Sequence, residues 1–274
     1  MTIEELIIYG KKYIHSNEAK MLLAAVTGYD SLELLLHLKE KVSTELVDKY
    51  KTMIYTRLEN YPLQYIIGNV NFYGYEFKVK ENVLIPRFET EQLVYRVYEF
   101  IKNNFSSNLK VIDLGCGSGV IGITLKKLLD NVDVTCLDIS NDALDLTREN
   151  AMLLDADIRL IKGNMLEEIN EKFDVIVSNP PYIKTNEEIE GIVKDNEPHL
   201  ALYGGVDGLD FYKEILSKAQ NNLNDKFLIA FEIGETQKDD IINLANKYFD
   251  NIKIECYKDL AERDRVILIY KNIR

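Results

Sequence analysis

The period of apolar and polar positions changes twice along the chain, and each of the three stretches predicts a different kind of element. Over the first 60 residues apolar positions recur every three or four residues, as they do on one face of a short packed helix. Asn17 precedes EAKMLLAAVTG, which ends at Gly28; Ser31 precedes LELLLHLK; Ser43 precedes TELVDKYKTMIYTRLEN, where Leu46, Tyr50, Met53, Ile54 and Arg57 keep helical spacing. Each run starts behind a side-chain oxygen able to accept from a free amide of the first turn, so Asn17, Ser31 and Ser43 are the expected caps. Pro62 ends this pattern. From Tyr61 to Val83, glycines among alternating apolar residues predict extended segments turning back at residues 71–74, a β-hairpin connector.

Beyond about residue 86 short apolar runs alternate with amphipathic stretches. Strands are expected at 110–114, 133–138, 158–161, 173–178, 227–233, 252–257 and 265–270, and helices at 120–129, 142–154, 211–223 and 237–249. Alternation of this kind builds an α/β domain, a mostly parallel sheet covered on both faces. The expected division is a helical domain over 1–68, a hairpin linker over 69–85 and the α/β domain over 86–274.

Composition narrows the partners. The 274 residues carry 33 Lys and Arg against 45 Asp and Glu, a net charge of −12, and an acidic surface repels nucleic-acid phosphates unless its cations are clustered. Direct DNA binding is therefore not expected. No apolar run approaches the roughly 18 to 20 residues that cross a bilayer, and the opening MTIEELIIYGKK has acids where a secretory signal would carry cations, so a cytoplasmic protein without a membrane partner is expected. Cys116, Cys136 and Cys256 lie far apart without ligand spacing, and His15, His37 and His199 share no register. Reduced cysteines and no metal site are expected. A monomer is the expected state.

Candidate chemistry begins at VIDLGCGSGVIGI, residues 111–123, where a strand runs into a glycine turn and then a helix. Gly115, Gly117 and Gly119 permit a close backbone approach that a side chain would block. Such turns also join strands to helices for purely structural reasons, and a dinucleotide fold would place a pyrophosphate here. Asp138, nineteen residues past the last glycine and at the end of the next strand, is placed to accept ribose hydroxyls. Asp113, however, sets a negative charge beside the loop, which suits a cationic ligand better than a phosphate. The run D-L-G-C-G-S-G with a second-strand acid resembles a class I methyltransferase, a Rossmann-like fold binding S-adenosylmethionine. Asn164 and Met165, after the third strand, stand where that family places an amide and an apolar neighbour for adenine.

The second signal is Asn179-Pro180-Pro181-Tyr182 after FDVIVSN. Two prolines cannot continue a strand, so the chain turns outward and presents Asn179 at the carboxyl edge of the sheet. A planar amide or amino nitrogen is a weak nucleophile, and Asn179 Oδ1 with the Pro180 carbonyl can accept its two protons while Tyr182 packs on the flat group. This is catalysis by orientation and charge stabilisation. The tetrapeptide resembles both adenine-N6 DNA methyltransferases and protein glutamine-N5 methyltransferases.

The flanking segments PLQYIIG (62–68), FYG-x-x-F (72–77), VLIPR-x-ETE (83–91), EP-x-x-AL-x-GG-x-DGL (197–209) and FEIG-x-x-Q (231–237) are similar to the release factor glutamine methyltransferase, or HemK, family across nearly the whole chain. The resemblance implies a helical N-terminal domain that docks the substrate, a hairpin linker and a seven-stranded, mostly parallel catalytic domain with a final antiparallel strand. It implies that the enzyme methylates the side-chain nitrogen of glutamine in the Gly-Gly-Gln motif of class 1 peptide chain release factors, its partners, and yields S-adenosylhomocysteine. Asp113, Gly115, Cys116, Gly117, Ser118, Gly119, Asp138, Ile139, Asn164, Met165 and Asn179 would hold S-adenosylmethionine. Asn179, Pro180, Pro181 and Tyr182 would hold the glutamine, with Asn179, Pro180 and Tyr182 catalytic. Arg87, Glu89, Thr90 and Glu91 would line the same cleft, although Thr90 and its acids also read as an ordinary helix start.

Three departures stand out: Phe88 for a common proline, Met165 for a common aromatic, and AERDR at 261–265 without the usual glycine-asparagine. The rivals are a ribosomal-protein glutamine methyltransferase, an adenine-N6 methyltransferase of DNA or RNA, and a non-catalytic S-adenosylmethionine sensor, which would not need the Asn-Pro-Pro-Tyr turn. The Gly204-Gly205 loop reads equally as a lid or a turn.

Overall fold

The computed structural model describes residues 1–167 and 169–273. The chain divides into two compact units, one of residues 1–69 with 190–196, the other of 70–189 with 197–274.

The first unit holds α1 (Ile3–Gly10), α2 (Ser16–Thr27), α3 (Ser31–Leu36), α4 (Thr44–Leu58) and α5 (Leu63–Ile67). Leu6, Leu22, Leu23, Leu34, Tyr50 and Ile54 fill its core, and the Tyr50 hydroxyl, fully buried, donates to the Ala19 carbonyl at 3.1 Å. Ser43 caps α4 as expected, accepting from Leu46 N. The other two caps fall one or two residues earlier than the sequence suggests. Asp30, not Ser31, caps α3, because its carboxylate accepts from both Leu32 N and Glu33 N while Glu33 reaches back to its amide, a reciprocal box that a lone serine cannot make. His15, not Asn17, caps α2 through Nδ1. Residues 63–67, expected to be extended, instead form α5, since Pro62 stands at a helix N-terminus, where its missing N–H costs nothing, and Gly68 ends the turn at φ 87°.

In the second unit a hairpin comes first, β1 (Asn69–Phe72) and β2 (Tyr75–Lys78), turning at Tyr73-Gly74 inside the expected window. Then follow α6 (Thr90–Asn104), β3 (Leu109–Leu114), α7 (Val120–Leu128), β4 (Val132–Asp138), α8 (Asn141–Leu153), β5 (Ile158–Lys162) and β6 (Phe173–Ser178). A short α9 (Gly191–Asn196) belongs to the first unit, where Asn196 Nδ2 donates to the Asn60 carbonyl at 3.1 Å. The chain ends with α10 (Asp210–Asn222), β7 (Leu223–Glu232), α11 (Lys238–Tyr248), β8 (Lys253–Lys258) and β9 (Asp264–Lys271). Every strand and helix expected after residue 106 is present, with ends moved by four residues at most.

The seven-stranded sheet runs β5-β4-β3-β6-β7-β9-β8, with β9 antiparallel to both its neighbours and the other pairs parallel. Successive residues of each central strand feed opposite faces. Val111, Val175, Val177, Leu228 and Ala230 pack beneath α6 and α7, while Ile112, Ile176, Ile229 and Phe231 pack against α10 and α11. Both faces are covered, which is why these strands read as unbroken apolar runs. From β3 the chain proceeds outward to β5 and returns to lay β6 on the other side of β3. The carboxyl ends of β3 and β6 therefore flank the switch point where open α/β sheets bind ligands.

Candidate functional site

At that switch point lies a cavity of about 340 Å³, lined by the glycine turn after β3, the end of β4, the end of β5, the proline turn after β6 and the segment before α6. Gly115, Cys116, Gly117, Ser118, Asp138, Ile139, Asn164, Met165, Asn179, Pro181, Arg87 and Thr90 all reach its wall. Ile139 is half exposed beside it, an apolar side chain next to the Asp138 carboxylate.

The glycine turn is closed by its own backbone. Gly115 N and Cys116 N both donate to the Leu137 carbonyl, Gly119 N donates to the Cys116 carbonyl, and Gly117 N donates to Asp138 Oδ2 at 2.9 Å. Four amides that a pyrophosphate would need are already spent within the protein. A phosphate nest requires them free and aimed at the ligand, so the turn fits a ligand without phosphate. Gly119 holds φ 81°, and a Cβ there would lie 2.7 Å from Thr147 Cγ2, so only glycine starts α7 in this way.

Asp138 is buried, with Oδ1 accepting from Ser140 N and Oδ2 from Gly117 N, and burial raises its pKa. Asp113, expected to face the ligand, lies beneath the turn instead. It is fully buried, its Oδ2 accepts from Gly122 N at 2.9 Å and ties β3 to α7, and its Oδ1 has no partner. Desolvation, only partly offset by the Gly122 amide, pushes its pKa up to about 7. Two carboxyl groups at the turn make the neighbourhood unfavourable for an anion and favourable for a cation.

Asn179 is bonded to a residue of α6, and through it to β7. Its Nδ2 lies 3.2 Å from Thr90 Oγ1, and the buried Thr90 hydroxyl donates to Glu232 Oε2 at 2.7 Å. Glu232, at the end of β7, is fully buried, and desolvation brings its pKa to about 7 against the opposing pull of Thr90 and Arg265. Pro180 is buried and Tyr182 half-buried, and neither reaches the cavity wall. The Tyr182 ring packs into the core beside α10, with its hydroxyl 3.4 Å from Glu232 Oε1, so it anchors the turn from behind rather than covering the cavity. Burial and the Glu232 charge raise its pKa.

Gln237, which ends the FEIG-x-x-Q segment but has no role assigned from sequence, ties the site together. Its buried Nε2 donates to the Tyr182 and Gly208 carbonyls, both at 3.0 Å, while its Oε1 accepts from Gly234 N. Three motif segments are thus pinned to one another by a single amide. Gly208 presses so closely on the proline turn that a Cβ would lie 2.4 Å from the Tyr182 carbonyl oxygen. The Gly204-Gly205 segment is bonded to Ile183 and Thr185 and is a packed turn, not a lid.

The segment before α6 splits. Arg87 lines the cavity and is held by Glu197, 2.6 Å away and buried, which also accepts from Ile85 N. Thr90 lines it too. Glu89 and Phe88 are exposed, and Glu91 turns from the cleft to accept from Tyr73 N in the hairpin at 2.8 Å. Where glycine-asparagine is absent, Glu262 takes φ 61°, and Asp259 holds that turn through Ala261 N and Arg263 N. Cys116, Cys136 and Cys256 are free thiols. Among the described residues no helix is long and apolar enough to cross a membrane.

Residues 97–206 match the model of the methyltransferase small domain family, and residues 14–68 match that of the PrmC N-terminal domain. A protein of Bacillus subtilis strain 168 named release factor glutamine methyltransferase is 38% identical, with 99% of each chain covered. One of the same name from Clostridium botulinum strain Hall is 39% identical over 97% of this chain and 98% of that one. Among solved structures, a methyltransferase from Pyrococcus furiosus shares the fold with a TM-score of 0.55, at 19% identity over 73% of this chain and 90% of that one.

Proposed function

The chain belongs to the release factor glutamine methyltransferase family, and from that premise we propose that it methylates the side-chain nitrogen of the glutamine in the Gly-Gly-Gln motif of class 1 peptide chain release factors. When bound, S-adenosylmethionine supplies an electrophilic methyl group on sulfur and leaves as S-adenosylhomocysteine. The residues present fit it: the closed glycine turn suits a ligand without phosphate, and the acids beneath and beside it suit a sulfonium. Gly115, Cys116, Gly117 and Ser118 would form its floor, Asp138 would accept from the ribose, and Ile139, Asn164 and Met165 would flank the base. Gly119 and Asp113 act from behind, shaping the turn rather than touching the ligand.

The observation that carries the reading is Asn179, presented into the same cavity as this turn by an adjacent parallel strand. An amide nitrogen loses conjugation as it attacks, and positive charge grows on it. Asn179 Oδ1 at the cavity wall, accepting from one of its N–H bonds, holds the lone pair toward the methyl and stabilises that charge; the sulfur–carbon bond breaks as the nitrogen–carbon bond forms, and the strongly acidic proton left on nitrogen passes to water, so no strong base is needed. Pro181 and Tyr182 fix the turn, and Arg87 at the wall meets the backbone or carboxylates of the incoming loop. The test is incubation with S-adenosylmethionine and release factors, followed by peptide mass spectrometry. A methyl on the Gly-Gly-Gln glutamine is expected; methyl found only on ribosomal protein or on DNA overturns the substrate.

A further inference from the structure

An asparagine amide has two ends that differ only in chemistry, and the reaction above needs its oxygen, not its nitrogen, toward the substrate. We propose that Thr90 and Glu232 are positioning residues that decide which end of Asn179 faces the cavity. The inference rests on the reading that Asn179 receives the glutamine amide.

The argument is one of donors and acceptors. An ionised carboxylate only accepts. Glu232 Oε2, 2.7 Å from Thr90 Oγ1 and sealed from water, therefore takes the one proton that the threonine hydroxyl can give. Thr90 Oγ1 is left with lone pairs alone toward Asn179, 3.2 Å away, and lone pairs attract Nδ2 and repel Oδ1. The amide is thus set with its nitrogen to the protein and its oxygen to the cavity before any substrate arrives. The directionality originates in a carboxylate on β7, passes through the first residue of α6 and ends at the turn after β6, with no bound water required.

The device has a protonation condition. The groups facing Glu232 are Thr90 and Glu89 from α6 and its approach, Tyr182 from the proline turn, and Arg265 from β9, while the Tyr212 hydroxyl of α10 bonds its backbone carbonyl. Protonated, Glu232 can donate to Thr90, which frees the threonine proton to turn toward Asn179 and removes the preference. Turnover therefore gains from ionisation of Glu232, which burial places near neutrality.

The test compares Thr90→Val, Thr90→Ser, Glu232→Gln and the double variant Thr90→Val/Glu232→Gln. Thr90→Val is expected to lower kcat about tenfold, the loss of one well-placed hydrogen bond, with Kd for S-adenosylmethionine unchanged. Thr90→Ser, which keeps the hydroxyl, should stay within about twofold. The ratio of wild-type to Thr90→Val turnover should rise between about pH 6 and 8, and the double variant should be no worse than the poorer single one. Equal kcat for Thr90→Val and wild type, or strictly multiplicative losses, would overturn the proposal. Neutron diffraction from the perdeuterated protein reads the amide directly: deuterons on the Asn179 atom facing Thr90 support the inference, and a bare oxygen there refutes it. That reading stands even if wild-type enzyme leaves release factors unmethylated, a result that would defeat the functional assignment and not the orientation.

Discussion

The glycine turn after β3 and the proline turn after β6 sit side by side at one sheet edge, yet they are held in opposite ways. The first is held mainly by main chain and by the elements that directly follow it: amides 115, 116 and 119 bond to carbonyls of β4 and of the turn, amide 117 bonds to the Asp138 carboxylate, and Thr147 and Asn150 of α8 donate to the carbonyls of residues 117 and 118. The second has little of its own. Its prolines stop the strand, but Asn179, Tyr182 and the carbonyl of Tyr182 are fixed by Thr90, Glu232 and Gln237, which lie 89, 50 and 55 residues away from their respective partners in the turn. A loop shaped by backbone can bind a ligand common to many proteins. A turn shaped by remote side chains can be tuned, one substitution at a time, to a particular nucleophile.

The sharpest way to separate the two turns is Asn179→Ala. Turnover should fall about a thousandfold, the loss of an orienting and charge-stabilising acceptor, while calorimetric affinity for S-adenosylmethionine stays unchanged. A parallel loss of affinity would merge the two turns into one binding element. Next is Gln237→Leu, which leaves the Tyr182 and Gly208 carbonyls and the Gly234 amide without their partner. Urea unfolding should show a loss of about 3 kcal/mol, one to a few kcal/mol being usual for stranded buried groups. Stability within 1 kcal/mol of wild type would mean that the prolines hold the turn unaided.

Smaller effects belong to the glycine turn. The Asp113 pKa is raised above its unfolded value, so the folded state keeps a proton that the unfolded chain has lost, and stability falls as pH rises from about 4 to about 7. Asp113→Asn keeps an acceptor for the Gly122 amide and removes that cost. Its stability relative to wild type should increase over this interval by up to about 1.4 kcal/mol per pH unit and level off above it. A gap independent of pH would place the carboxyl in contact with water. The mildest change is Asp138→Ala, expected to weaken S-adenosylmethionine binding about tenfold, or about 1.4 kcal/mol, while kcat at saturation holds. An unchanged Kd would remove Asp138 from the ribose.

The same contrast explains what the sequence discloses. Strands buried on two faces, the glycine turn and the double proline are local features, and their positions could be read from runs of ten residues. Helix α5 was hidden because Pro62, which ends one helix, also begins the next. Asp30 is masked in the sequence because Ser31 beside it offers a plausible cap, and only the return bond from Glu33 discriminates. The charge of Asp113 and its place in the D-L-G-C-G-S-G run point it at the ligand, whereas its depth depends on how α7 packs over β3. Thr90 looked like a helix start, which it also is. Its second duty requires Glu232, 142 residues later, to be folded against it.

One feature of the chain's path bears on how such an enzyme can be taken apart. Having completed the proline turn, the polypeptide leaves the catalytic unit, contributes α9 to the helical one, and returns at Glu197, whose carboxylate then grips Arg87. The two units are therefore joined by three strands of peptide and not by one. A single protease cut near residue 69 leaves them tethered, and a clone beginning at residue 70 still carries a helix whose partners were encoded upstream. Swapping the front module between relatives is a two-seam operation, and the second seam runs within twenty residues of Asn179.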